Sequence, residues 1–107
     1  MDIRKKAWKR VQAEYQRFKR KVMYRFSKEE VWDAAARIHF FQTVTEFFEL
    51  NERIPDKYLI LVLTESHPIA AMWQVYLEHE ELDYQTWGEL EELLEEMLMN
   101  YKMPVAG

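Results

Sequence analysis

The chain has 107 residues, 49% of them hydrophobic, no cysteine and a formal net charge of −4. This length suits one domain, and the lack of cysteine excludes a disulfide framework and a thiolate metal site. No apolar run approaches the ~20 residues that span a bilayer, and no signal-peptide core follows the basic start, so we expect a cytoplasmic protein of one domain, residues 1–107, with no membrane span.

Glycine and proline are scarce, so the predicted fold class is all-α, a compact bundle of about five helices. The first predicted helix, residues 1–26, carries +8, because 10 of the 15 Lys and Arg lie there against two acids. The rest of the chain, which contains the predicted helical core of residues 27–103, carries −12. One face of the basic helix is apolar at helical spacing: Ile3, Ala7, Trp8, Val11, Tyr15, Phe18, Val22 and Phe26.

A second helix is predicted from about Lys28 to about Leu50. Ser27 and Glu30 have the spacing of a capping box, which ends the first helix and starts the next. Apolar residues cover more than one face of this segment, so we expect it at the centre of the core. They are Val31, Trp32, Ala34, Ala35, Ile38, Phe41, Val44, Phe47 and Phe48.

Prolines divide the middle of the chain. Ile54 and Pro55 predict a turn, because the residue before proline avoids the α region. The run from Tyr58 to Leu63 is too short for periodicity to separate a helix from a strand. We favour a helix, because a lone strand would lack a pairing partner. Pro68 stands where the first turn of a fourth helix would begin.

The last predicted helix is acidic. Thr86 and Glu89 form a second capping-box pair, and the apolar residues that follow them lie on one stripe. From Glu78 to Glu96 there are nine acids and no Lys or Arg. The face opposite the apolar stripe carries Glu89, Glu92, Glu95 and Glu96.

A pattern of spaced residues runs through the second half of the chain. An Ile-Leu-Val-Leu run precedes Pro68, and a Glu-Leu-rich helix follows Trp73, Tyr76, Leu77, Glu80 and Tyr84. In this order, the segment from Val31 to Leu98 resembles a family of small all-helical proteins of unknown function from bacterial mobile elements and phages. The resemblance implies an all-helical fold and a mobile-element origin, and it brings no catalytic residues. The basic helix lies outside it.

The acidic face has two interpretations. It is either a solvated helix surface or a row of carboxylates that imitates nucleic-acid phosphates in the basic groove of another protein. The resemblance favours the second, because mobile elements encode inhibitors of host nucleases, including anti-CRISPR proteins. We predict a non-enzymatic interaction protein that inhibits a nucleic-acid-binding host protein such as a CRISPR nuclease. Its predicted partner-binding residues are Glu89, Glu92, Glu95 and Glu96.

The basic face leaves more alternatives open. Clustered Lys and Arg bind phosphates, so a nucleic-acid-associated accessory protein is the second prediction. Alternatively, the basic face binds an acidic protein or a membrane surface, or it is a solvated surface with no partner. It would also attract the acidic face of a second copy, which would give a homodimer. Nucleic acid ranks below a protein partner, because the acidic remainder of the chain would repel phosphate. The residues are Lys5, Lys6, Lys9, Arg17 and Arg20.

Residues for catalysis, metals and cofactors are scarce. His39, His67 and His79 are the three histidines, and none forms a Glu-x-x-His or His-Glu-x-x-His pattern. Ser27 and Ser66 suit caps and turns better than nucleophiles. Two glycines are too few for a phosphate-cradling loop. We therefore expect no enzyme, no cofactor and no metal site; His79, flanked by two glutamates, is the one candidate for an acid-base pair.

Overall fold

The computed structural model describes residues 2–102, and every regular element in that span is an α-helix. This confirms the predicted all-α class and the expectation of about five helices. Residue 1 and residues 103–107, the two ends of the predicted domain, lie outside the described residues. In chain order the helices are α1 (Ile3–Arg25), α2 (Lys28–Leu50), α3 (Asp56–Thr64), α4 (Pro68–Glu78) and α5 (Trp87–Lys102).

Side-chain caps fix where α2 and α5 begin, as the spacing in the sequence predicts. The Ser27 hydroxyl accepts the backbone N–H of Glu30 at 3.2 Å, and the Glu30 carboxylate accepts that of Ser27 at 3.2 Å. In the same way, the Glu89 carboxylate accepts the backbone N–H of Thr86 at 2.9 Å, and the Thr86 hydroxyl accepts that of Glu89 at 3.1 Å. Each pair satisfies N–H groups that the helix itself leaves without an acceptor.

The run from Tyr58 to Leu63 lies within α3, so the helical alternative is confirmed. One side of this short helix is buried, whereas Ile60 is 53% exposed. Pro68 occupies the first turn of α4, as predicted. The buried residues of α3 are Tyr58, Leu59, Leu61 and Val62.

The core forms where α1 packs against α2, α3 and α4, while α5 packs against α4 and α3. Ala7 and Val11 of α1 are fully buried, as are Phe40, Val44 and Phe47 of α2. Burying one large apolar side chain contributes about 1.5–3 kcal/mol, against about 0.2–1 kcal/mol for an exposed ion pair. Burial therefore sets the orientation of α1 and α5. The buried residues of α5 are Leu90, Leu93, Leu94 and Met97.

The beginning of α2 is more exposed than the sequence predicts. Val31 and Trp32, expected in the core, are 38% and 81% exposed, and Ala35 is exposed as well. The prediction is wrong for these residues because α1 and α2 form a hairpin, and only α1 lines the surface beside the first turn of α2. A projecting hairpin agrees with the radius of gyration of 14.1 Å, which exceeds the ~13 Å typical of a compact chain of this size.

Candidate interaction faces

Two bases of α1 point into the fold. Arg4 donates to the backbone carbonyls of Glu49 at 2.9 Å and Asn51 at 3.3 Å. Arg10 donates from Nη2 and Nε to the carbonyl of Glu65 at 2.6 and 2.9 Å. These carbonyls lie at the C-terminal ends of α2 and α3, where the helix dipole attracts cations. Arg4 and Arg10 therefore join helices within the bundle.

The five basic residues predicted as a binding face are all exposed on the outer side of α1. Among the side chains that the structure describes, no ion pair joins an α1 residue to an acid. At 1.5 Å per residue, the row is about 22 Å long. The opposite charges of the two chain segments are thus not neutralised against each other along this helix. We call this row the basic ridge: Lys5, Lys6, Lys9, Arg17 and Arg20.

Two open clefts follow the basic ridge. Arg17 belongs to both clefts, and none of the described residues that line them is acidic. A concave surface lined by charge of one sign concentrates the field and attracts anions. The first cleft, of about 400 Å³, is lined by Lys9, Arg10, Ala13, Arg17 and Ser66. The second, of about 480 Å³, is lined by Arg17, Arg20, Lys21, Tyr24 and Arg25.

The four glutamates of the predicted acidic face lie on α5, and three of them contact other parts of the protein. Glu89 accepts the N–H of Thr86 at 2.9 Å and so completes the cap of α5. Glu95 and Glu96 contact side chains of neighbouring segments. Of the four, only Glu92 is exposed; the others are partly buried. We call Glu89, Glu92, Glu95 and Glu96 the acidic face.

Glu95 connects α5 to α3. Its Oε2 accepts the Tyr58 hydroxyl at 2.7 Å and lies 3.0 Å from Nζ of Lys57. Burial and the hydrogen bond to Glu95 raise the pKa of the Tyr58 phenol. Lys57 neutralises part of the charge of this carboxylate, so Glu95 both holds α5 in place and contributes less negative potential than an unpaired glutamate.

Glu96 approaches the one histidine that the sequence offers for acid-base chemistry. Nε2 of His79 lies 3.6 Å from Oε1 of Glu96, and its Nδ1 lies 3.1 Å from Oε1 of Glu81. A hydrogen bond from its own backbone N–H, and then the contact with His79, lower the pKa of the Glu81 carboxyl. This arrangement joins the α4–α5 connection to α5. Within the described part of the chain, no group of three His, Asp or Glu side chains is placed to hold a metal ion.

A buried glutamate on α1 is the main contact that sequence reasoning missed. Glu14 is 5% exposed, and its carboxylate accepts the backbone N–H groups of Ile69 at 2.7 Å and Ala70 at 3.0 Å. It therefore caps the N-terminus of α4 from another helix, where the dipole favours an anion. Burial raises the pKa of Glu14, and the two N–H donors oppose that shift. Its position three residues after Val11 and four before Phe18 places it on the apolar stripe.

An exposed apolar surface at the end of the α1–α2 hairpin was also missed. Met23, Tyr24 and Trp32 are 67%, 80% and 81% exposed. Met23 and Trp32 border a shallow cavity of about 330 Å³ together with Phe26, Val31, Val22 and Lys28, whereas Tyr24 lines the second cleft of the basic ridge. Large exposed apolar groups side by side mark interaction surfaces more often than single ones do. We call Met23, Tyr24, Phe26, Val31 and Trp32 the apolar tip.

No protein-family model, curated protein or solved structure matches this chain. The mobile-element resemblance therefore stays a prediction, and the candidate faces rest on the geometry of this chain. None of the described helices is long and apolar enough to cross a membrane.

Proposed function

We propose that the protein is a non-enzymatic accessory protein that binds nucleic acid, with phosphates lying against the basic ridge of α1. The observation that carries this proposal is the exposure of all five ridge residues, none of which is paired with an acid whose side chain the structure describes. When such a row neutralises phosphates, cations condensed on the nucleic acid are released, and this release drives binding.

The dimensions of the ridge suit a polyanion. A row of about 22 Å is long enough to face several phosphates of one strand. The two clefts lined by Lys and Arg follow the same row and would hold phosphates between neighbouring side chains. The acidic helix α5 packs on α3 and α4, and its Glu95 is paired with Lys57, so the acidic face and the basic ridge lie on different helices.

The experiment is a salt titration of binding to a labelled oligonucleotide, followed by fluorescence anisotropy, for wild type and Arg20→Ala. Each lost phosphate contact makes the negative slope of log K against log salt shallower by about 0.7–0.9. At 0.1 M salt this corresponds to a loss of binding affinity of about 5- to 8-fold. Arg20 is suited to this test because it is exposed and its internal contact, to the carbonyl of Gln16, is long at 3.4 Å.

Arg53→Ala is the matched control. Arg53 is exposed in the connection between α2 and α3 and is not a ridge residue, so the change in net charge is the same without loss of a ridge side chain. We expect wild-type slope and affinity for this variant. Equal losses in Arg20→Ala and Arg53→Ala would show a general charge effect and contradict a ridge-specific site, and no binding by wild type at low salt would remove the proposal.

The acidic face supports a second proposal, an inhibitor that occupies the basic groove of a nucleic-acid-binding protein such as a CRISPR nuclease. Exposed Glu92, together with the exposed glutamates of the α4–α5 connection, favours it. The double variant Glu80→Lys/Glu92→Lys changes exposed groups and leaves the contacts of Glu89, Glu95 and Glu96 intact. Inhibition of DNA cleavage by wild type, and its loss in the variant, is the expected result; no inhibition by wild type would contradict it.

A further inference from the structure

The apolar tip continues the basic ridge. Tyr24 lines the same 480 Å³ cleft as Arg17, Arg20, Lys21 and Arg25, so an aromatic ring that is 80% exposed stands among four cations. No acid is among the described residues that line this cleft.

Trp32 lies on the second helix of the hairpin, beside a separate cavity. It is 81% exposed and shares the tip cavity with Lys28 and Met23. Two acids, Glu29 and Glu30, lie in the first turn of α2, but the Glu30 carboxylate is occupied by the N–H of Ser27 at 3.2 Å. The end of the hairpin therefore exposes one aromatic ring among four cations and a second ring beside Lys28.

Planar rings beside cations suit a ligand that offers both phosphates and flat apolar faces. Bases in a duplex are stacked on one another and inaccessible to a protein side chain, whereas unpaired bases stack on Tyr and Trp. A basic groove that follows the backbone, with aromatic platforms for the bases, is the usual arrangement for single strands. The phosphates of an intact duplex would contact the cations of the basic ridge, but its stacked bases would not cover the apolar tip, which would stay exposed to water.

We infer that the ligand of the basic ridge is a single-stranded nucleic acid whose unpaired bases stack on Tyr24 and Trp32 while its phosphates contact Arg17, Arg20 and Arg25. The inference rests on the proposed function and names the ligand class for the same site. In this proposal the strand runs along α1 past Tyr24 and crosses the end of the hairpin to reach Trp32.

The test compares a labelled oligothymidylate of about 12 nucleotides with a duplex of equal length, using anisotropy at low salt. Tyr24→Ala and Trp32→Ala are each expected to weaken single-strand binding about 5- to 150-fold, the range measured for a lost base-aromatic stack. Tyr24→Phe and Trp32→Phe retain a ring and should restore most of the affinity. Leu50→Ala is the control, because Leu50 is an apolar residue 60% exposed at the other end of α2.

The outcomes separate this inference from the proposed function. Equal affinity for single strand and duplex, with no effect of either alanine variant, would overturn stacking and leave the ridge proposal standing. A strand without bases that binds as tightly as the oligothymidylate would also overturn stacking. No binding of any oligonucleotide would remove both proposals.

Two further occupants of the tip can be excluded with the same variants. Binding to phosphatidylserine vesicles that depends on Trp32, with no oligonucleotide binding, would replace the strand with a membrane surface. Self-association that depends on Trp32 in sedimentation, again with no oligonucleotide binding, would replace it with a second copy. Either result overturns the inference.

Discussion

Glu14→Gln tests how α1 is joined to α4. In wild type, the two carboxylate oxygens accept the N–H groups of Ile69 and Ala70 at 2.7 and 3.0 Å. The Gln amide offers one oxygen, so one buried N–H loses its acceptor at a cost of about 1–3 kcal/mol. At about 2.1 cal/mol/K per residue of unfolding entropy, this loss lowers Tm by about 4–13 °C for a chain of this size. Thermal unfolding followed by circular dichroism measures it.

Glu92→Gln is the control for that experiment. It makes the same chemical change at an exposed position on α5, where the effect should stay within about 0.5 kcal/mol. Equal stability of Glu14→Gln and wild type would refute the account of Glu14 as the cap of α4.

The pH dependence of the Glu14→Gln deficit tests the cause of the raised pKa. A carboxyl whose pKa is higher in the folded state contributes stability that is full below its unfolded pKa of about 4.3 and is lost as pH rises through the folded pKa. The deficit of the Gln variant should therefore be larger at pH 4 than at pH 7. A deficit that grows from pH 4 to pH 7 would show that the N–H donors outweigh burial and would contradict the raised pKa.

Three other substitutions give direct tests of helix ends and helix contacts. Thr86→Ala removes the cap of α5 and should cost about 1 kcal/mol in urea unfolding, and an unchanged midpoint would contradict the capping role. Arg10→Ala should cost about 1–2 kcal/mol, because the carbonyl of Glu65 loses both guanidinium donors, whereas exposed Lys9→Ala should stay within about 0.5 kcal/mol. Tyr58→Phe should cost about 1 kcal/mol at neutral pH. Because the phenol pKa is raised, that contribution is lost as pH rises above the ordinary value of 10.0, and a deficit that persists well above it would contradict the assignment.

The helices could be predicted from the sequence because local chemistry fixes their ends. The Ser27–Glu30 and Thr86–Glu89 pairs are three residues apart, so their spacing alone places the starts of α2 and α5. The outward position of the basic ridge was also predictable, because the apolar stripe of α1 opposes it.

The contacts within the candidate faces could not be predicted, because they join residues far apart in the chain. The Tyr58–Glu95 hydrogen bond spans 37 residues and the Glu14–Ile69 hydrogen bond spans 55. Nothing in the spacing of α5 shows that Glu95 and Glu96 of the acidic face contact side chains of other segments. Trp32 was misplaced for the same reason, since its burial depends on whether a third helix reaches the hairpin, and periodicity carries no such information.

The central claim is that the basic ridge binds phosphate, and the salt dependence of oligonucleotide affinity tests it most directly. A variant with glutamine at every ridge position should keep the wild-type helical content, because these side chains are exposed. Because five contacts are lost, the negative slope of log K against log salt should become shallower by about 3.5 on a single strand. An unchanged slope would contradict the account. The positions changed are Lys5, Lys6, Lys9, Arg17 and Arg20.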